Sequence, residues 1–200
     1  HLDYNSVLAL NTKFGTNLQW FVPSGSKDWF EHCGIQSDSI HDMVWWQSVQ
    51  MSDGTTIVYT PANHWSKRTL TDTNKALWGS WLVIGKNGSK FWFGGDTAYS
   101  DVFKQIGDKY GPMDISAIPI GNYNPRETMK FLHANPQEAL KIHQDLKSKL
   151  SFGIHWGTFK MMSGEPYLEP KEKTLELVSK NPQLAPFLVP TIGQSVCSIN

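Results

Sequence analysis

Apolar positions in this chain come in short runs whose internal spacing changes from stretch to stretch. Val7-Leu8-Ala9-Leu10 follows Asn5-Ser6, either of which serves as a helix cap, so a short helix is predicted to run on to Phe14. Gln19-Trp20-Phe21-Val22 reads as a short buried strand ended by Pro23, and Lys27 to Cys33 as a helical turn or two stopped by Gly34. The β-branched run Thr55 to Thr60 predicts a strand closed by Pro61. Ala76 to Ile84 and Lys90 to Phe93 pair as a hairpin, because Gly85-Lys86-Asn87-Gly88 supplies turn chemistry between them.

Beyond Phe93 strands and helices alternate. Val102 to Tyr110 predicts a helix, Ile115 to Ile120 a strand, and Pro136 to Lys149 the clearest helix of all. That last one has Asn135 as cap and Pro136 at its first position, with Ala139, Leu140, Ile142 and Leu146 mainly on one face. His143 lies inside it and reads as surface or flank. Ser151 to Ile154 is another short buried strand and Lys171 to Ser179 a final helix. Hairpins followed by alternating helices and strands predict an α/β domain with layered sheets. No linker is polar or long enough to divide it.

Composition narrows the picture. In 200 residues, 18 Lys and Arg balance 18 Asp and Glu, which gives no support for a nucleic-acid surface. Two cysteines, Cys33 and Cys197, cannot build a disulfide framework. Apolar runs such as Trp81-Leu82-Val83-Ile84 fall far short of the ~20 residues of a spanning helix, and no signal-peptide pattern opens the chain. The excess is aromatic: 9 Trp, 10 Phe and 6 Tyr, which by itself reads as large core contacts. The start at His1, without a cap or Met, reads as the inside of a longer polypeptide.

Chemistry concentrates where strands run out. His64 follows the strand ending at Pro61, Asp96 stands on the Gly94-Gly95 turn after Phe93, and His155 follows Ile154. His1-Leu2-Asp3 stands at the chain's own start. Strand ends in layered α/β folds share a rim, and histidines converging there with a carboxylate are the ligand set zinc prefers. Each residue alone also fits an ordinary turn: Asp96 could cap a helix, and a histidine after a strand could simply be hydrogen-bonded.

Taken in order, the segments carry a resemblance. His1-Leu2-Asp3-Tyr4-Asn5-Ser6, Thr60-Pro61-x-x-His64-Trp65, Gly95-Asp96-Thr97 and Ile154-His155-Trp156-Gly157-Thr158-Phe159 resemble motifs of metallo-β-lactamase-fold hydrolases. More narrowly, the chain resembles the N-acylphosphatidylethanolamine-hydrolysing phospholipases D. Lys67-Arg68-Thr69-Leu70, Leu77-Trp78-Gly79-Ser80-Trp81, Ala117-Ile118-Pro119-Ile120-Gly121 and Tyr167-Leu168-Glu169-Pro170 extend the likeness over nearly all 200 residues. The metal motifs specify the superfamily; the tryptophan-rich segments specify the narrower match.

The resemblance implies an α/β, metallo-β-lactamase-type four-layer αββα sandwich with its N-terminal portion missing, residues 1–200 being the C-terminal major part of one domain. It implies a zinc centre: His1 as the last ligand of a His-x-His-x-Asp-His motif, His64 at the first ion, Asp96 bridging two ions and His155 at the second. The complete family enzyme holds two Zn2+ ions, and a hydroxide formed there hydrolyses N-acylphosphatidylethanolamine to an N-acylethanolamine and phosphatidic acid. With three ligands upstream of His1 absent, this chain is expected to bind one zinc or none well and to have little activity. His133 matches a substrate-contacting histidine, Tyr4 could line the site, and Arg126 and Lys130 are candidates for lipid phosphate. His32 and His41 match nothing. Trp45, Trp46, Met161 and Met162 are candidates for dipping into a membrane interface, where aromatic side chains are favoured. The implied partner is a membrane phospholipid met at a peripheral, intracellular site, on endomembranes or from the cytoplasm; a homodimer stays open. So do two other readings: hydrolysis of another ester, lactone or phosphodiester on the same fold, and a non-catalytic fragment that binds lipid or a partner.

Overall fold

A computed structural model describes residues 2–158 and 163–197. The first half runs α1 (Tyr4–Phe14), β1 (Trp20–Pro23), α2 (Lys27–His32), β2 (Ile40–Met43), β3 (Ser48–Gln50), β4 (Thr56–Thr60), β5 (Ser80–Ile84) and β6 (Lys90–Phe93). The second half runs α3 (Val102–Tyr110), β7 (Ile115–Pro119), α4 (Arg126–Met129), α5 (Pro136–Asp145), β8 (Ser151–Ile154), α6 (Glu169–Ser179) and β9 (Phe187–Leu188).

Strands β3 to β9 form one sheet in chain order, antiparallel as far as β6 and parallel from β6 onward. The change has a simple cause. Gly88, at φ 84°, lets a tight turn join β5 to β6, whereas each later step carries a helix, as a parallel crossover must. Paired residues point the same way, so Val58, Leu82, Trp92, Ser116, Ser151 and Phe187 form one row across the sheet. Phe103 and Ile106 of α3 and Ala139, Leu140 and Ile142 of α5 bury that row, with Leu177 and Val178 of α6 packed alongside. A smaller cluster gathers Val7, Val22, Phe30, Cys33, Ile35 and Ile40 around the parallel pair β1–β2.

The opposite face of the large sheet stays largely open among the described residues. Phe91, Phe93 and Leu188 are exposed there, and Val83, Phe91, Ile115, Leu150, Pro186 and Leu188 line a groove of about 790 Å3. In an αββα sandwich this is where the second sheet would stack. The described residues supply one seven-stranded mixed sheet, one helical layer on it and the separate pair β1–β2.

Several predicted elements shift. Asp3, not Ser6 or Asn5, caps α1, its carboxylate accepting from the Ser6 amide at 2.7 Å. The fifth helix ends at Asp145, four residues early, because Lys147 takes a left-handed φ of 55° that a helix cannot continue through. Its start is as predicted, with Asn135 and Glu138 closing a reciprocal capping box. β5 starts at Ser80 rather than Ala76, and β2, β3, α4 and β9 were not predicted; they are too short to carry a period.

His143 is a clear correction. It is buried, not surface, with Nδ1 2.7 Å from Ser151 Oγ and its ring edge-on to Phe187 at 5.7 Å. Burial pushes its pKa down to about 4, so the folded chain holds it neutral. The unfolded chain binds that proton near pH 6.5. The resulting stabilisation is complete above pH 6.5 and is lost as pH falls through about 4, up to about 3 kcal/mol in all. Urea unfolding between pH 7 and pH 4.5 is expected to show a steeper pH dependence for the wild-type chain than for H143Q, the remaining slope belonging to other buried histidines such as His133. Equal slopes for both would show that acid acts elsewhere.

Candidate metal centre

Because β4, β6, β7 and β8 all run the same way, their C-terminal ends share one rim. Four loops leave there, carrying His64, Asp96, Asn122 and His155. Thr97 ties the first two to each other and to the loop of His133. Its hydroxyl accepts from the Asn63 amide at 2.9 Å, Ala98 N–H donates to the Asn63 carbonyl, and Ala134 N–H donates to the Thr97 carbonyl. The His133 loop is thereby tied to the turn holding Asp96.

The turn and the rim need special backbone. Gly95 has φ 61°, favoured by glycine, and lets β6 turn into Asp96. An added Cβ at Gly121 would lie 2.3 Å from the His155 carbonyl oxygen, so β7's exit can approach the His155 loop only without a side chain. His155 itself has φ 59°, a conformation costing a histidine about 1–3 kcal/mol. Such strain at a strand exit marks a side chain whose direction matters.

Both flanking imidazoles are anchored by carbonyls. His64 Nδ1 lies 2.9 Å from the Leu132 oxygen and His155 Nδ1 3.4 Å from the Gly121 oxygen. A carbonyl only accepts, so each Nδ1 carries a proton and each Nε2 is turned to Asp96. His155 Nε2 is 3.2 Å from Asp96 Oδ1 and His64 Nε2 is 4.0 Å from Oδ2. His133 packs between them, edge-on to His64 at 5.2 Å and stacked on His155 at 5.1 Å between centroids. Burial holds His64 below the ordinary imidazole range, against the pull of the Leu132 carbonyl and the Asp96 charge. His133 is pushed down to about 4, first by burial and then by the neighbouring His155.

These donors suit a metal ion. Outer-shell carbonyls on Nδ1 are the usual means of presenting Nε2 to a metal. A 3.2 Å separation is close to that of two donors each ~2.0–2.1 Å from a shared tetrahedral ion. Asp96 offers one oxygen to each histidine, as a bridging carboxylate would. Among the described residues, however, no three His, Cys, Asp or Glu side chains form a complete ligand set. His1, the remaining expected ligand, lies outside the described residues, as do Phe159, Met161 and Met162.

Other expected contacts are placed differently. Tyr4 is half exposed and edge-on to Trp29 at 6.3 Å. Arg126 is engaged inside the fold: Nη2 donates to both oxygens of Glu138, at 2.8 and 3.0 Å, and Nη1 to the His133 carbonyl at 2.9 Å. It braces the His133 loop against the cap of α5 instead of facing solvent. Lys130 Nζ sits 5.0 Å over the Phe131 ring. Trp45 donates to the Trp78 carbonyl, and Trp46 stacks on Tyr110 at 6.5 Å, so both are packed. Asn63, Thr97, Gly121, Asn122 and Leu132 build the site without having been expected there. Gly121-Asn122 after a strand was a legible left-handed signal; the carbonyl anchors of Leu132 and Gly121 had none.

Comparison with known proteins places the chain in a family. The chain is 43% identical over 191 residues to N-acyl-phosphatidylethanolamine-hydrolyzing phospholipase D 1 of Caenorhabditis elegans, covering 92% of this chain and 53% of that protein. It is 39% identical over 185 residues to the mitochondrial N-acyl-phosphatidylethanolamine-hydrolyzing phospholipase D of Saccharomyces cerevisiae, covering 90% and 38%. The chain thus spans about half or less of these relatives' length. Among solved structures, the metallo hydrolase Igni18 of Ignicoccus hospitalis matches with a TM-score of 0.68 at 21% identity, over 94% of this chain and 72% of that one. An isothiocyanate hydrolase from Delia radicum gut bacteria matches at 0.61 and 15% identity, over 85% and 62%. At such identities the likeness is one of fold. The model of the beta-lactamase superfamily domain matches residues 1–156, which takes in the His64 and Asp96 loops and reaches His155. The chain belongs to the beta-lactamase superfamily.

Proposed function

We propose that these residues are part of the zinc centre of a phospholipase-D-type phosphodiesterase that hydrolyses N-acylphosphatidylethanolamine. One observation carries the reading: two carbonyl-anchored histidines turn their Nε2 atoms to the two oxygens of one carboxylate, with a third histidine buried against both. His64, Asp96 and His155 would hold metal, and His1, by the same resemblance, would add a ligand at the second ion. A bound ion supplies Lewis acidity and a water acidified to a pKa of about 7. The chain's own part is to fix the carboxylate between the imidazoles and to offer His133 to the substrate phosphate or amide. Trp65 and Phe131, 41% and 60% exposed, flank His64 and His133 in sequence and would meet acyl chains at a membrane surface. No helix among the described residues is long and apolar enough to cross a membrane, so attachment through these side chains would be peripheral.

The test compares two zinc-loaded proteins on vesicles containing N-acylphosphatidylethanolamine. One is the 200-residue chain and the other is that chain joined to the N-terminal part of the nematode relative. The joined protein is expected to release N-acylethanolamine and phosphatidic acid and to hold close to two zinc ions. The 200-residue chain is expected to hold at most one and to react far more slowly. Cleavage of a lactone or a soluble phosphodiester, but not of the lipid, would refute the substrate. Equal rates for both proteins would refute the expected incompleteness. Failure of both to bind zinc would leave a non-catalytic fragment.

A further inference from the structure

Asn122 stands out among the residues at the rim. It follows Gly121 at the exit of β7 and has φ 68°, a left-handed conformation that asparagine tolerates better than most side chains. Its amide Nδ2 lies 3.0 Å from His133 Nε2. An amide nitrogen only donates, so His133 Nε2 must hold the lone pair and the ring proton must sit on Nδ1. His133 is 5% exposed, and its Nδ1 is buried without a hydrogen-bond partner among the described residues. The loop is otherwise fully tied: the His133 carbonyl accepts from Arg126, and its amide donates to the Met129 carbonyl. A buried N–H without a partner calls for an explanation, and a ligand that accepts from it is one.

We propose that Asn122 is a positioning residue that fixes the tautomer of His133, so that Nδ1–H is offered as a hydrogen-bond donor to an acceptor oxygen of the substrate. With the opposite tautomer Nδ1 would be an acceptor and would repel a phosphodiester oxygen. The ligand atom is therefore a hydrogen-bond acceptor, a phosphodiester or amide oxygen of the substrate. The proposal rests on the reading of His133 as a substrate contact, but the part played by Asn122 can be measured with no substrate present.

The experiment records long-range proton–nitrogen correlation spectra of the 200-residue chain labelled with 15N-histidine, at one fixed pH, metal-free and zinc-loaded. The His133 signals are identified by their loss in H133Q. The wild-type chain is expected to show a protonated Nδ1 and an unprotonated Nε2 in both states. N122D keeps an asparagine-like left-handed backbone but presents an acceptor, and should invert the pattern. N122G keeps the backbone and removes the amide, and should give a tautomer mixture. A wild-type His133 protonated at Nε2, or one that N122D leaves unchanged, would overturn the proposal. So would loss of the Nδ1 proton on zinc loading. In the joined protein, N122D should lower kcat on the lipid about 10²–10³-fold with zinc content unchanged, as loss of one oxyanion donor does. An inverted tautomer with undiminished turnover would leave Asn122's effect on His133 standing and refute His133 as a substrate contact.

Discussion

Asp96→Asn should abolish hydrolysis and strip most of the metal, with the fold intact. Asn has the same shape, so packing at a side chain 19% exposed is preserved. What disappears is the negative charge facing both imidazoles, whose Nε2 atoms lie 3.2 and 4.0 Å away. On the proposed reading Asp96 would serve two metal positions at once. Its loss should therefore exceed the roughly 10–100-fold that removal of an outer-shell partner costs. The natural comparison is Thr97→Val, which removes the hydroxyl that accepts from the Asn63 amide but leaves every ligand in place. Zinc content by mass spectrometry and turnover by the joined protein should fall far more for Asp96→Asn than for Thr97→Val, while far-ultraviolet circular dichroism stays constant. Full zinc and turnover in Asp96→Asn would remove Asp96 from the centre.

Trp92→Ala should be the most destabilising single substitution in the sheet, by about 3–5 kcal/mol. Trp92 is fully buried, meets Phe103 edge-on at 5.8 Å, and donates its indole N–H to Thr60 Oγ1 at 3.3 Å. Truncation leaves a large cavity between β6 and α3 and takes a donor from a buried hydroxyl. Against a typical total of about 5–15 kcal/mol, this is enough to unfold a good share of the molecules. Its neighbour Phe93 points to the other face and is 41% exposed, so Phe93→Ala should cost less than about 1 kcal/mol in the isolated chain. Urea unfolding of both variants decides the matter. Similar midpoints would mean that β6 does not present the two residues to opposite environments.

Those adjacent aromatics show where sequence reading stopped. Phe91-Trp92-Phe93 was legible as a strand, yet three aromatic residues in a row carry no alternation, so which one faces the helices could not be read. His143 failed for a related reason. It sits one residue after Ile142 on a helix whose apolar stripe was correctly read, and the stripe is wide enough to bury it. α5 kept its predicted start because its capping box acts locally, and α3, without a side-chain cap, kept its own through its apolar period. β2, β3 and β9 exist only through pairing with neighbours, which a run of two to four residues does not announce.

What the sequence determined by itself was local: the α/β alternation, the turn at Gly85–Gly88, the capped start of α5, and the ligand-type residues His64, Asp96 and His155 at strand exits. Residue order and resemblance were enough for these, because turn, cap and donor chemistry reside in a few adjacent side chains. Only the tertiary structure decided that the three exits share one rim and that carbonyls of Leu132 and Gly121 turn the histidines toward Asp96. It also assigned Arg126 to bracing a loop and brought Asn122 to His133. Each of these depends on groups from separate strand exits and on backbone carbonyls, which every residue has and no sequence distinguishes.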